Sequence, residues 1–399
     1  MMIAGSAKVD ITPTTNVWMD GMIRAHRSVG AHDPLFARAV VLSNSADLAG
    51  AFAIVSVDVC ALSDSDSDCV RRAASQATGF PRDHIIVAAT HTHSGPATIG
   101  FFSPRETDYV RELSDKLVSV IVRAADSAKP AAVGYGRGRE DTISHYRRLL
   151  ADDGRVVMNW EPYPEDRIVK PLGEVDPEVG ILKVVDAARP ERLICLLFNH
   201  AGHPNVLSGD NYLLSADYPG YAAQLLESEF GGIAMFVNGA QGTMDIDGLK
   251  DRDFEGLTRT GTALAKSVAD AAGVISTSAH ATLSGAHVRY SVPARGISDN
   301  DMAWAEKVLA ETGGRIQALA DGVGDDYKAA LYKELRETQE NDVSVEQTCM
   351  AIGEMAFISF PGEMFTEIGS RIKAAGPFSH TGIIGLAMAT PAICRRGKR

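Results

Sequence analysis

Short, nearly unbroken apolar runs alternating with longer amphipathic stretches constrain this chain more than any other feature. "ARAVVLS", "AFAIVSVDVCAL" and "HIIVAAT" are rich in β-branched residues and bounded by polar turns, so they read as strands. "DSDCVRRAASQATG" and "ETDYVRELSDKLVSVIVRAADSA" place apolar residues on a helical period. Further core strands follow in "VGILKVVD", "RLICLLFNHAGHP" and "IAMFVNGAQG", with helices in "DYPGYAAQLLESEFG" and "RTGTALAKSVADAAG". A strand that is apolar along its whole length is covered on both faces. The expectation is therefore α/β, a layered domain with a mixed, largely buried β-sheet flanked by helices. From His280 to Arg295 the pattern turns to alternation, as in exposed-sheet strands, and a charged helical region comes next. "CMAIGEMAFISFPGEMFTEIGSRI" then supplies two strands and a helix. With no internal repeat or linker, residues 1–399 are expected to form one domain carrying an inserted helical region.

Charge and composition exclude several classes. The formal net charge is −12, and the only basic run is "CRRGKR" at the extreme C-terminus, so nucleic acid is not an expected partner. No apolar run reaches the ~18 residues needed to span a bilayer. "MMIAGSAKVDITP" lacks the basic start and apolar stretch of a secretory signal, which makes a cytoplasmic location the expectation. Five scattered cysteines without a CxxC pair fit buried thiols better than disulfides or a thiolate metal site.

Polar residues collect where the core strands end: Asp58, His91, His93, His200, His203, Asn238, Asp245 and Glu363. In open α/β sheets the carboxyl ends of the strands form the ligand crevice. Histidines held at such ends can be locked by hydrogen bonds from behind. Two histidine clusters plus a glutamate match the composition of a catalytic zinc site with an open position. Each residue has a plainer reading. His91 or His93 could cap a strand, His200 or His203 could end one, and Glu363 could favour the N-terminus of the helix after it. His26, His84, His145, His280, His287 and His380 read as structural or surface residues. Composition and spacing by themselves stop at a metallohydrolase.

The order of "GSAKVDITP", "LFARAVVL", "ATHTHSGP", "AGHPNV", "SADYPGYAA", "NGAQGTMDI" and "FPGEMFTEIG" resembles the N-terminal catalytic domain of the neutral/alkaline non-lysosomal ceramidases, from Ala4 to Ala387. In that family zinc is held by the first His of "THTH", a His followed by Pro, the Glu of "PGE" and a later Tyr. The resemblance implies His91, His203 and Glu363 as metal ligands and His93 beside the reacting carbonyl. It also implies an arginine from "HYRRLL" that binds the scissile group, either Arg147 or, by preference, Arg148. Asp217 and Tyr218 in "SADYPGY" are expected to shape the pocket, although Asp217 can equally cap a helix. The implied reaction is zinc-dependent hydrolysis of an amide in a small-molecule or lipid-like substrate.

This chain departs from the family in three ways. Asp245 stands where the family has an essential Ser, and an ionised carboxylate accepts protons rather than donating them. A true ceramidase activity is therefore not expected, and Asp245 becomes a candidate base. No signal and no C-terminal immunoglobulin-like domain is expected. The chain also ends "GLAMATPAICRRGKR" where relatives carry the Tyr ligand in a segment like Asn-Gly-x-x-Gly-Tyr-x-Pro. Deleting one A from GCA AAT GGC GAC GCC GGC TAT CTG CCG gives codons for Ala-Met-Ala-Thr-Pro-Ala-Ile-Cys-Arg, the residues from Ala387 to Arg395. The tail from Met388 thus reads as a frameshift product. Resequencing the gene tests this, and the lack of any frame encoding the Tyr segment would refute it. Two other readings compete: a non-catalytic relative that keeps the fold, and a metal-free hydrolase using Ser94, which lacks the Gly-x-Ser-x-Gly elbow.

Overall fold

A computed structural model describes the chain except residues 101–102, 247–249, 295, 320–321, 339–341 and 389–399. Eight strands form one mixed sheet: β1 (Ile3–Asp10), β2 (Phe36–Ser43), β3 (Phe52–Val57), β4 (Ile85–Ala89), β5 (Lys129–Arg139), β6 (Glu178–Asp186), β7 (Arg189–His200) and β8 (Ile233–Asn238). Their spatial order is β8-β7-β6-β5-β1-β2-β3-β4, parallel only at the two outer pairs. A second sheet places β9 (Leu283–Pro293), β10 (Asp342–Ile352), β11 (Met355–Ser359) and β12 (His380–Ile384) in sequence order, with β11 and β12 parallel.

Alternation along each strand sorts the core into layers. Ala37, Ala39 and Val41 of β2 face α1 (Asp64–Thr78) and α2 (Thr107–Asp126), while Val40 and Leu42 face the second sheet. On β6, Val179 and Ile181 meet α3 (Asp217–Phe230) and α4 (Phe254–Val274), whereas Leu182 and Val184 join Met350 and Phe357 on the other side. The large sheet therefore carries helices on one face and the smaller sheet on the other. α5 (Asp299–Thr312) and α6 (Asp325–Thr338) are the expected charged helical insertion between β9 and β10.

β5 is a strand that the hydrophobic pattern does not reveal. Gly134, Gly136 and Gly138 fall on one of its faces, and a Cβ at Gly134 would come within 2.2 Å of the Ser276 carbonyl oxygen. Only bare backbone lets α4 and the turn after it lie directly on the sheet there.

Each parallel pair is joined by a helix: β3 to β4 by α1, β7 to β8 by α3, and β11 to β12 by α7 (Thr366–Ala375). A parallel connection needs such a crossover, so the carboxyl ends of all six strands lie at the ends of βαβ units. Residues Gly385–Met388 tie these ends together. Gly385 N–H donates to Asn238 O at the end of β8, Leu386 N–H to Gly362 O after β11, and Met388 N–H to Val87 O on β4. The expected frameshifted tail includes Met388, which is buried here; its residues 389–399 lie outside the described part.

Candidate metal centre

The segment after β4 leaves the sheet with His91 in the left-handed region (φ 76°), a conformation that costs a non-glycine residue about 1–2 kcal/mol. Its N–H donates to Val59 O (3.0 Å), and its ring Nδ1 donates to Cys60 O at 2.7 Å. Both acceptors belong to the chain leaving β3. With the proton fixed on Nδ1, the lone pair of Nε2 faces inward, which is how metal-bound imidazoles are commonly oriented.

His203 follows β7, and Glu363 follows β11. His203 Nε2 lies 3.2 Å from Glu363 Oε2, and His91 Nε2 lies 3.6 Å from Glu363 Oε1. Tetrahedral bonds of about 2.0–2.2 Å put neighbouring ligand atoms about 3.3–3.5 Å apart, so these separations suit one ion. Both histidines are buried, while the Glu363 side chain keeps 37% exposure and marks the open side. Partial desolvation of its carboxyl alone would raise the Glu363 pKa. His91, His203 and Arg147 outweigh it and hold the carboxyl well below its ordinary range. Burial pushes His91 down to about 4, so its imidazole is neutral and able to ligate at neutral pH. Two imidazole nitrogens and a carboxylate are a catalytic-type donor set, and the residues present fit a metal.

The other candidates sort themselves around this trio. His93 Nε2 lies 3.3 Å from His91 Nε2. Arg147, not Arg148, reaches the trio. Its guanidinium is 3.3 Å from His203 Nε2, 3.7 Å from Glu363 Oε2, and donates to Gly242 O at 2.6 Å. Arg148 turns the other way, over the Phe365 ring at 6.0 Å. Asp245 is buried and accepts from Asn205 Nδ2 (2.9 Å), with Arg252 3.9 Å away. Asp217 accepts from Leu207 N–H (3.2 Å) and Tyr218 N–H, and Tyr218 packs in the core against α4. Both are fully buried behind the loop that follows His203. Ser94 is fully buried and accepts from Asn211.

Three of the strand-end residues are structural. His200 lies 3.4 Å from Ser144 Oγ and 3.3 Å from Glu178 O. Asp58 pairs with buried Arg38 at 2.9 Å. Asn238 donates to Thr90 O and Gly202 O, binding the first two βαβ units to each other. A second ligand-like group, Asp83, His287 and Glu346, is answered by Arg71, Arg82 and Arg289 on Glu346, which supply the positive charge a cation would bring. Sequence reasoning passed over Gly242, whose part is played by backbone and carries no side-chain signal, and Cys60, whose carbonyl and Sγ (3.6 Å) both meet the His91 Nδ1.

This α/β chain belongs to the neutral/alkaline non-lysosomal ceramidase family. The family profile of the N-terminal region matches residues 2–244. Among individual proteins, the chain is 25% identical over 253 residues to the neutral ceramidase of Pseudomonas aeruginosa, covering 58% of this chain and 34% of that one. It is 24% identical over 266 residues to the neutral ceramidase of Mycobacterium tuberculosis, covering 59% of this chain and 40% of that protein. The matched stretch thus spans well under half the length of these curated relatives. In structure the chain is similar to a ceramidase complexed with C2 (TM-score 0.72) at 21% identity, covering 97% of this chain and 68% of that one. The crystal structure of the Pseudomonas aeruginosa neutral ceramidase gives a TM-score of 0.69 with the same coverage. At that identity the likeness speaks for the fold. Among the described residues no helix is long and apolar enough to cross a membrane.

Proposed function

We propose that this chain is a zinc-dependent hydrolase of an amide bond in a lipid-like or other small amphiphilic substrate, with ceramide itself not the natural one. The observation that carries the reading is the convergence of His91 Nε2, His203 Nε2 and the Glu363 carboxylate, with His91 Nδ1 committed to Cys60 O. These three residues would hold the ion. Bound there, it supplies Lewis-acid polarisation of a carbonyl and a water that is nucleophilic near neutral pH.

The chain's own residues do the rest. Arg147 presents its guanidinium beside Glu363 and His203, where it orients the scissile carbonyl and favours negative charge growing on its oxygen. His93 Nε2, facing the same space, takes the proton from the attacking water and returns it to the leaving nitrogen. Burial keeps His93 neutral, so its lone pair is available. Asp245 serves this chemistry by holding Asn205 rather than as the base. Asp217 and Tyr218 support the His203 loop from behind. The expected Arg148 is assigned to the rim.

The test is metal content of the purified protein against a His91→Ala, His203→Ala double variant. About one zinc per chain, lost in the variant, is the expected result. No metal in either removes the reading. A second reading, a relative that binds ligand without turnover, draws on Asp245, which stands at the family's serine position and is taken up by Asn205. Full zinc loading with no hydrolysis across an amide and ester panel would favour it.

A further inference from the structure

The loop from Val17 to Ser28 brings to the backbone of His93 a side chain that no motif suggested. Arg24 is only 5% exposed, yet its hydrogen bonds run to backbone carbonyls. Nε donates to Asn211 O (2.8 Å), Nη1 to Asp20 O (3.3 Å), and Nη2 to His93 O (2.9 Å) and Ser208 O (3.4 Å). Three separate segments therefore meet at one guanidinium, and one of them is the histidine pair. Burying a guanidinium is costly, and burial pulls its pKa down to about 10, which leaves it charged at neutral pH. Its hydrogen bonds are accordingly charge-assisted and directional.

The same loop covers the His93 ring. Gly21 (φ 92°) lies so close that a Cβ there would sit 2.5 Å from His93 Cγ and 2.6 Å from its Cα. His93 N–H is held by Pro204 O at 2.9 Å. Beyond the 3.3 Å approach of its Nε2 to His91 Nε2, its side chain has no corresponding anchor among the described residues. His91 is fixed through Nδ1 to Cys60 O, whereas His93 Nδ1 is buried without a partner among the described residues. The direction of the His93 ring must then come from what grips its backbone and what covers its face.

We propose that Arg24 and Gly21 are positioning residues that aim the His93 imidazole at the metal centre. The proposal rests on the reading that His93 handles the proton in hydrolysis. Neither residue touches the metal trio, so their loss separates His93 from ion binding.

The experiment uses zinc-loaded wild type, Arg24→Met, Arg24→Lys, Gly21→Ala and His93→Ala. Diethyl pyrocarbonate labelling of each histidine is read by fragmentation mass spectrometry, and kcat and KM are taken on a chromogenic acyl anilide. Arg24→Met and Gly21→Ala are expected to raise His93 labelling several-fold, with His91 and His203 still protected and zinc content unchanged. They should lower kcat about 10-fold with KM within about twofold, and Arg24→Lys should recover part of the loss. His93 labelling at the wild-type rate in the folded variants overturns the proposal. If Arg24→Met does not fold, Gly21→Ala decides. An unchanged kcat in His93→Ala instead removes the proton-handling role, while the labelling still reports on the positioning.

Discussion

At position 242 a single methyl group has nowhere to go. A Cβ on Gly242 would fall 2.5 Å from Glu363 O, while its N–H donates to Met364 O (2.8 Å) and its carbonyl accepts from Arg147. Gly242→Ala must displace the Glu363 backbone, the Arg147 guanidinium or both. Zinc affinity should fall about 10-fold in a chelator competition, with the circular dichroism unchanged, because groups behind a ligand set its orientation. Wild-type affinity would mean that Glu363 is not held as a ligand from this side. The paired arginines give a second expectation. Arg147→Ala should cost about 10²-fold in kcat and Arg148→Ala no more than about threefold, measured on the same substrate. Equal losses would contradict the assignment. The sequence offered both arginines and no means to choose. Neighbours on an extended segment point to opposite sides, and only the pairing of Met244 with Tyr146 sets which side faces His203 and Glu363.

Among the elements, β5 and α4 show how packing replaces pattern. The helix could be read from its period, but its partner strand could not, because glycines stand where apolar side chains would have announced it. Gly134→Ala puts a methyl within 2.2 Å of Ser276 O, so the turn after α4 must lift from the sheet or the strand must bend. A loss of about 1–3 kcal/mol is expected from urea unfolding curves. The same change at Gly154, where nothing lies within 4 Å and φ is +82°, should cost only the backbone strain of that turn. Equal costs at both sites would show that contact with the turn after α4 is not what restricts β5.

For the whole molecule, stability in acid should follow Glu346. This residue of β10 accepts from Arg71 of α1 (2.6 Å), Arg82 (3.0 Å) and Arg289 of β9 (2.8 Å), and so joins the helical layer to the second sheet. Burial would raise its pKa, but the arginines outweigh it and bring it to about 2. A folded pKa below the ordinary value of 4.5 adds stability that is present above that pH and is lost as the pH falls toward 2. The melting temperature of the wild type should drop across that window. Glu346→Gln should melt lower at pH 7, because Arg71 is only 1% exposed and loses its nearer carboxylate, keeping only Asp83 at 3.6 Å, and its acid slope should be flatter. Parallel slopes for the two proteins would exclude Glu346 as the source.

The sequence by itself determined the layered α/β class and the helical insertion, and it supplied the candidates for the chemistry, because periodicity and residue type are local properties. Tertiary structure decided which of those residues meet. His91, His203 and Glu363 lie far apart in the chain, and they converge because three βαβ units are tied at their carboxyl ends by Asn238 and Gly385–Met388. Tertiary structure also turned Arg147 inward, took Asp245, Asp217 and Tyr218 into buried supports, and gave Arg24 its place beside His93. Hydrogen bonds between distant segments carry no signature in either segment alone, so these outcomes were absent from the sequence pattern.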